Sequence, residues 1–183
     1  MTGASSTPVI RPAVPADAEP LVHCHLACWR EAYTGMVDPE RLRLVLSDVA
    51  DRVERWRHIL VEFPGRLLAE HDGEVVGLAA AGPNRDAELG LRTELYALYI
   101  RQAWWGSGLG HRLLEAAIGD ADASLWVFRE NARARRSYTR HGFVPDGAEK
   151  HDDYFGGAEI RMVRRGYGRP APDVGARRAP AGS

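Results

Sequence analysis

The order of apolar patterns along these 183 residues predicts an α/β fold. Three observations carry that expectation. Short apolar runs of strand character alternate with longer stretches whose apolar residues recur at helical spacing. Two of the runs flank His71-Asp72-Gly73, a tight hairpin signal. The run ending at Ile100 passes through Trp105-Gly-Ser-Gly-Leu-Gly110 straight into a helical sequence, the signature of a strand, a glycine turn and a helix. The chain has one domain's worth of length, and its 45% apolar content suffices for a full core.

The elements follow in order. Residues 9–11 form a short first strand after a loose, flexible segment at 1–8. Residues 16–32 make an amphipathic helix, with Leu21, Val22, Leu26 and Trp29 at helical spacing. Residues 39–61 form a second helical region carrying Leu42, Leu46, Val49, Val53, Trp56 and Leu60, broken or bent near Ser47-Asp48. Residues 66–70 and 74–81 are the hairpin strands, and a loop at 82–90 leads to a central strand at 93–100. Glycine costs about 1 kcal/mol against alanine inside a helix, so residues 105–110 are a turn and the helix spans 108–119. Leu125-Trp-Val-Phe128 is a fifth strand. A helix over 131–141 follows: Asn131 suits its N-cap, Ala134 and Tyr138 share one face, and Gly142 suits a left-handed stop. Strand segments at 143–144 and 159–163 close the fold. From Arg165 to the end, Gly, Pro, Ala and Arg without periodicity read as a disordered tail.

Composition excludes several function classes. A net charge of −1 offers no footprint for nucleic acid. No apolar run approaches the roughly 20 residues of a membrane helix, and the first residues lack the basic and apolar parts of a secretory signal. Cys24 and Cys28, four apart on one helix, are a poor disulfide and fit a reducing cytoplasm. With His23 and His25 they invite a metal reading, but only the two cysteines share a face, so no metal site is expected.

The glycine turn carries the chemistry. A strand, a glycine-rich turn and a helix start make a nest of free N–H groups at a positive helix end, which suits a phosphate. A dinucleotide fingerprint would need glycine where His111 stands, and a triphosphate loop would need a lysine that is absent there. The segment 105–110 resembles instead the acetyl-coenzyme A motif of the Gcn5-related N-acetyltransferase superfamily, Gln/Arg-x-x-Gly-x-Gly/Ala, matching at Gly108 and Gly110. Trp105 and Ser107 replace its basic positions, which removes side-chain charge and leaves the backbone amides. Asn131, Ala134, Tyr138, Gly142 and Phe143 match the family's second signature, Asn-x-x-Ala-x-x-x-Tyr-x-x-x-Gly-Phe. The resemblance covers residues 9–164. It implies a central mixed, mostly antiparallel, splayed sheet of about seven strands flanked by about four helices. It also implies an acetyl-CoA-dependent enzyme that acylates a primary amine by direct attack in a ternary complex, without a metal.

The resemblance assigns roles by position. Leu98, Tyr99 and Ile100 would pair with the pantetheine arm, and a backbone N–H near them would serve the thioester oxygen. Trp105, Gly106, Ser107, Gly108, Leu109, Gly110 and His111 would hold the pyrophosphate. Asn131 would bond the arm, cap its helix, or both. Tyr138 would hydrogen-bond the departing thiolate, since a thiol near pKa 8.5 is a stronger acid than a phenol near 10. Glu94, on one face with Tyr96 and Leu98 by simple alternation, is the candidate base, ahead of Glu31 and Glu88; it reads equally as a strand-end carboxylate in water or paired with Arg92. Trp29-Arg-Glu-Ala-Tyr33-Thr-Gly35 resembles a bacterial subgroup's segment over the acceptor site, so Trp29, Tyr33 and Tyr96 are candidate acceptor contacts, although aromatics on one helical face also suit a core. Arg133, Arg135 and Arg136 read as a solvated face of which one at most meets the coenzyme, and residues 151–154 as a loop. The acceptor is expected to be a small amine. A protein N-terminus or lysine, or a non-catalytic acyl-CoA sensor, is the alternative. A homodimer is within the family's habits, and neither nucleic acid nor membrane is expected as a partner.

Overall fold

The computed structural model describes residues 7–166. The loose ends expected at 1–8 and 165–183 lie almost entirely outside the described residues. The strands are β1 (Val9–Pro12), β2 (Leu67–His71), β3 (Glu74–Pro83), β4 (Thr93–Ile100), β5 (Ala123–Phe128), β6 (Val144–Asp152) and β7 (Gly157–Arg164). They form one mixed sheet in the order β1-β2-β3-β4-β5-β7-β6. Five helices cover it: α1 (Ala18–Tyr33), α2 (Pro39–Val45), α3 (Val49–Glu62), α4 (Leu109–Ile118) and α5 (Ala132–Arg140).

Each face of the sheet has its own helical layer. The apolar stripe of α1 packs with Leu42, Val53 and Leu60 over Leu68, Leu78 and Phe128 on one face. Leu109, Leu113, Leu114 and Ile118 of α4 pack over Val76, Ala79, Leu95 and Leu125 on the other, where Phe143 and Tyr138 join them. Gly77 permits this closeness, because a Cβ there would sit 2.8 Å from Ile100 Cγ2 and 3.0 Å from Leu113 Cδ1. The hairpin at 71–74 closes as expected, with Asp72 and Gly73 both at positive φ, 51° and 81°.

Two expected features take definite form in the structure, and two others depart from the sequence reading for physical reasons. The second helical region breaks where the sequence put the break, the backbone leaving helical geometry at Asp48, so the described residues hold five α-helices where about four were expected. β6 is a full strand reaching Asp152, paired with β7, where the sequence showed only 143–144. It is an edge strand with mostly exposed, polar residues, so it carries no apolar alternation to read. The register of β3 and β4 passes from Ala80↔Ala97 to Ala81↔Leu95, leaving Tyr96 as an extra, bulged residue. Alternation therefore breaks there: Leu95 and Leu98 both pack towards α4, and Ala97 and Tyr99 pack towards α1. The expected splay lies between β4 and β5, which pair in parallel over only Thr93–Leu95 and Ala123–Leu125. Beyond Leu95 the two strands diverge and the sheet opens.

Candidate active site

The opening between β4 and β5 frees part of the β4 backbone. Arg101 N–H bonds Val76 O on the β3 side. Alternation then turns the amide groups of Leu98 and Ile100 towards the gap. Ile100 O accepts from Trp105 Nε1 at 3.1 Å, so the indole ties the glycine turn to the end of β4. In that turn Gly106 and Gly108 have φ of 80° and 87°, and a Cβ at either would meet nothing within 4 Å. Ser107 N–H is spent on Trp104 O, and Leu109 N–H on Ser107 Oγ. Among the described residues the amides of Gly106, Gly108, Gly110 and His111 find no acceptor, and they stand at the positive end of α4. Free amides grouped at a positive helix end have the geometry of a nest suited to an anion. Arg133 of α5 lies over the Trp105 ring, 3.7 Å from its centroid, bringing a guanidinium beside a turn that has no basic residue of its own.

Two devices fix α5. Asn131 Oδ1 accepts from Ala134 N–H at 3.0 Å and caps its start, while the Asn131 NH2 has no acceptor among the described residues. At its end Phe143 N–H bonds Tyr138 O and Gly142 N–H bonds Thr139 O, with Gly142 at φ 82°. That pair of bonds is a Schellman motif, and the fully buried Phe143 packs edge-on against the Tyr138 ring. The signature Asn…Ala…Tyr…Gly-Phe is thus a list of what holds Tyr138 in place. Burial pushes the Tyr138 phenol above its ordinary range, Tyr99 adds to the push, and Arg133 opposes it.

A cavity of about 300 Å³ runs through the gap. Leu98, Ile100, Gly110, Asn131, Ala134 and Tyr138 line it on the side of the glycine turn and α5. Tyr33, Tyr96, Phe128, Trp126, Glu94 and Glu159 line it on the side of α1 and β7, and Tyr99 lies between. The structure thus brings together most of the residues expected at the site. Trp29 is not among those that line the cavity; it is buried behind them, edge-on to Tyr99 and Phe155, with Arg52 over its ring. Tyr33 does line it, and its hydroxyl lies 3.1 Å from that of Tyr99.

Glu94 is 1% exposed and fully engaged. Its Oε2 accepts from Arg85 N–H at 3.1 Å and from Arg85 Nε at 3.0 Å, and its Oε1 from Arg85 Nη2 at 2.5 Å. Arg85 spans to the Tyr96 ring, which keeps Glu94 and Tyr96 on one face, as alternation requires, while the bulge sends Leu98 to the other. The partner is Arg85, not Arg92. A second carboxylate, Glu159, was not foreseen. It stands opposite Phe128 in the β5–β7 register and 3.4 Å from Lys150 Nζ. The only signal for it in the sequence is charge at every second place of Glu159-Ile-Arg161-Met in a strand covered on both faces.

The other candidates lie apart. His25 is buried among Trp29, Trp56 and Tyr99 with neither ring nitrogen hydrogen-bonded. Cys24 and Cys28 are buried free thiols with their sulfurs 4.0 Å apart. His111 stacks on His141, linking the start of α4 to the end of α5. Among the described residues no group of three or more His, Cys, Asp or Glu could hold a metal ion, and no helix is long and apolar enough to cross a membrane.

The chain is similar to known proteins in sequence and in fold. Residues 26–143 match the model of the acetyltransferase (GNAT) family. A Mycobacterium tuberculosis protein named as a probable N-acetyltransferase is 31% identical over 142 residues, covering 75% of this chain and 80% of its own. An aminoglycoside N(6')-acetyltransferase type 1 of Stenotrophomonas maltophilia is 32% identical over 116 residues, covering 61% of this chain and 66% of its own. The fold matches that of the PaiA N-acetyltransferase from Thermoplasma acidophilum in complex with coenzyme A, with a TM-score of 0.64 at 17% identity, over 87% of this chain and 99% of that one.

Proposed function

The chain belongs to the acetyltransferase (GNAT) family, and from that premise we propose that it moves an acetyl group from acetyl-CoA to the primary amine of a small molecule by direct attack in a ternary complex. One observation carries the reading: a single gap in the sheet joins an open amide nest on one side to an aromatic-walled cavity with carboxylates on the other. The residues present fit the donor. Four amides without acceptors and Arg133 suit its pyrophosphate, and the unpaired edge of β4 at Leu98–Ile100 suits the amides of a pantetheine arm. When bound, acetyl-CoA supplies an acetyl group activated as a thioester.

The chain's own groups do the rest. Leu98 and Ile100 offer backbone N–H groups where negative charge develops on the acetyl oxygen. Tyr138 donates a hydrogen bond to the departing sulfur. Asn131, held by its own capping bond, keeps its NH2 for the arm. Cys28 lines the cavity, but its thiol is pushed far up by the Cys24 thiol and by burial, so it is a poor nucleophile and direct attack is the better route. The test is thiol release from acetyl-CoA across a panel of amines. Acceptor-dependent release supports the reading. A melting-temperature rise with acetyl-CoA but no release with any small amine would move it to a macromolecular acceptor or a coenzyme sensor. No binding at all would end it.

A further inference from the structure

We propose that Glu159 binds and deprotonates the acceptor, and that the acceptor is a primary monoamine on an apolar or aromatic stem. The inference rests on the acetyl-transfer reading and deepens it. Geometry selects Glu159 over Glu94. Both oxygens of Glu94 are spent on three donors of Arg85, which turns that carboxylate into a brace for the loop after β3. Glu159 lines the same cavity from β7 with Lys150 as its ion-pair partner, at a looser 3.4 Å.

The groups facing Glu159 come from every element around it. Phe128 stands beside it on β5, Lys150 and Asp152 come from β6, and Arg85 comes from the loop after β3. The Glu159 charge also reaches the Tyr33 and Tyr99 phenols across the cavity. Burial raises the Glu159 carboxyl above the ordinary carboxylate range and Asp152 adds to that, while Lys150 and Arg85 oppose it. A base raised towards the working pH is what proton abstraction from an ammonium requires.

The walls choose the acceptor. A carboxylate among aromatic rings recognises an ammonium by charge and by cation–π contact, and the rings themselves favour an apolar stem. On this side of the cavity Arg85 and Lys150 stand against Glu94, Asp152 and Glu159, which leaves one negative charge to match one ammonium. The step then balances. Glu159 accepts one proton from R–NH3+, and the freed nitrogen pair forms the C–N bond to the acetyl carbon. The C–S bond breaks with its electron pair left on sulfur, Tyr138 hydrogen-bonds that sulfur, and the second N–H proton ends on the thiol.

The experiment compares the parent chain with Glu159→Gln, Glu159→Asp and Lys150→Met, using phenethylamine, spermidine and kanamycin as acceptors. It reads kcat/KM against pH by thiol release and acetyl-CoA affinity by calorimetry. Phenethylamine should be the best acceptor. Glu159→Gln should lower its kcat/KM about a hundredfold or more and abolish the acidic limb, with acetyl-CoA affinity unchanged. Glu159→Asp should keep the limb, and Lys150→Met should move it to higher pH, so the assignment does not depend on one variant. A Glu159→Gln enzyme within about threefold of the parent, with the same limb, overturns the assignment and leaves acetyl transfer standing. Preference for spermidine or kanamycin overturns the monoamine class alone. If the parent releases no thiol with any of the three amines, this assignment falls, and calorimetry separates the two causes: bound acetyl-CoA leaves a macromolecular acceptor or a coenzyme sensor, and no binding ends the acetyl-transfer reading as well.

Discussion

Tyr138 shows how a buried residue's surroundings limit its role. An ordinary phenol near pKa 10 is already about 2 kcal/mol short of protonating a thiolate near 8.5, and this site pushes the phenol further up. Donation of a hydrogen bond to a charged sulfur, worth about 1.5–3 kcal/mol, is what remains. Tyr138→Phe should therefore lower kcat about 10- to 100-fold, leave the KM for acetyl-CoA nearly unchanged and preserve the acidic pH limb, as read by thiol release. Arg133 acts beside the glycine turn. Its guanidinium stands where the motif's basic residue is missing, so Arg133→Ala should weaken acetyl-CoA about tenfold at low salt and by less at high salt, measured by calorimetry. His25 governs stability instead. Burial, helped by the nearby Arg52 charge, lowers its pKa to about 3 in the folded chain, against 6.5 for the free side chain. Between those values the unfolded chain binds a proton that the folded chain refuses, so stability falls as pH falls through that window. The slope is at most about 1.4 kcal/mol per pH unit. His25→Leu should flatten it by that amount in denaturant titrations at pH 4–6.

At the level of elements, glycine does its work at the boundaries. Gly142 sits at φ 82° in the Schellman stop of α5, and Gly77 lets α4 close on the sheet. Gly142→Ala should cost about 1 kcal/mol of stability and depress activity by shifting Tyr138. Gly77→Ala should cost about 1–3 kcal/mol through overpacking, with little effect on any ligand constant, and chemical denaturation separates the two. These elements also show what the sequence made legible. α5 could be read because its cap, its apolar pair and its stop are local chemistry at fixed spacing. The glycine turn could be read because nothing helical explains Gly106 and Gly108. β6 could not, because a solvated edge strand has no reason to alternate. The bulge at Tyr96 could not either, since a one-residue insertion is a property of the β3–β4 pairing and not of β4 alone. Glu94 was legible as a strand carboxylate and Glu159 was not; only tertiary contacts show that both line one cavity, with Arg85 holding Glu94 and Lys150 at a looser distance from Glu159.

For the whole molecule the sheet is the consequential object. It is two pieces, β1 to β4 and β5 to β7, joined through a parallel contact of three residue pairs. Helix α4 packs on β2, β3 and β4 and leads by a short turn into β5, while the layer of α1 to α3 reaches across to Phe128 and Phe155. The gap is thus where the sheet has the fewest paired residues, with Leu95, Leu114 and Ile118 packing across it against Leu125 and Phe143. A ligand that pairs with the free edge of β4 and touches α5 bridges the two pieces and replaces the missing strand contacts. Linkage then sets the size of the effect: acetyl-CoA at about 100 times its Kd adds about 2.7 kcal/mol to the folded state. For a chain of this size that is a melting-temperature rise of about 5–10 °C. The added protection should be uneven. Amides of Leu98, Ile100 and the turn at 106–111 should slow most in hydrogen exchange, and those of β1 and β2, which already pair across their length, should change least. Uniform slowing across all seven strands would mean that the ligand stabilises the fold as one unit, and that the seam between β4 and β5 is no weaker than the rest of the sheet.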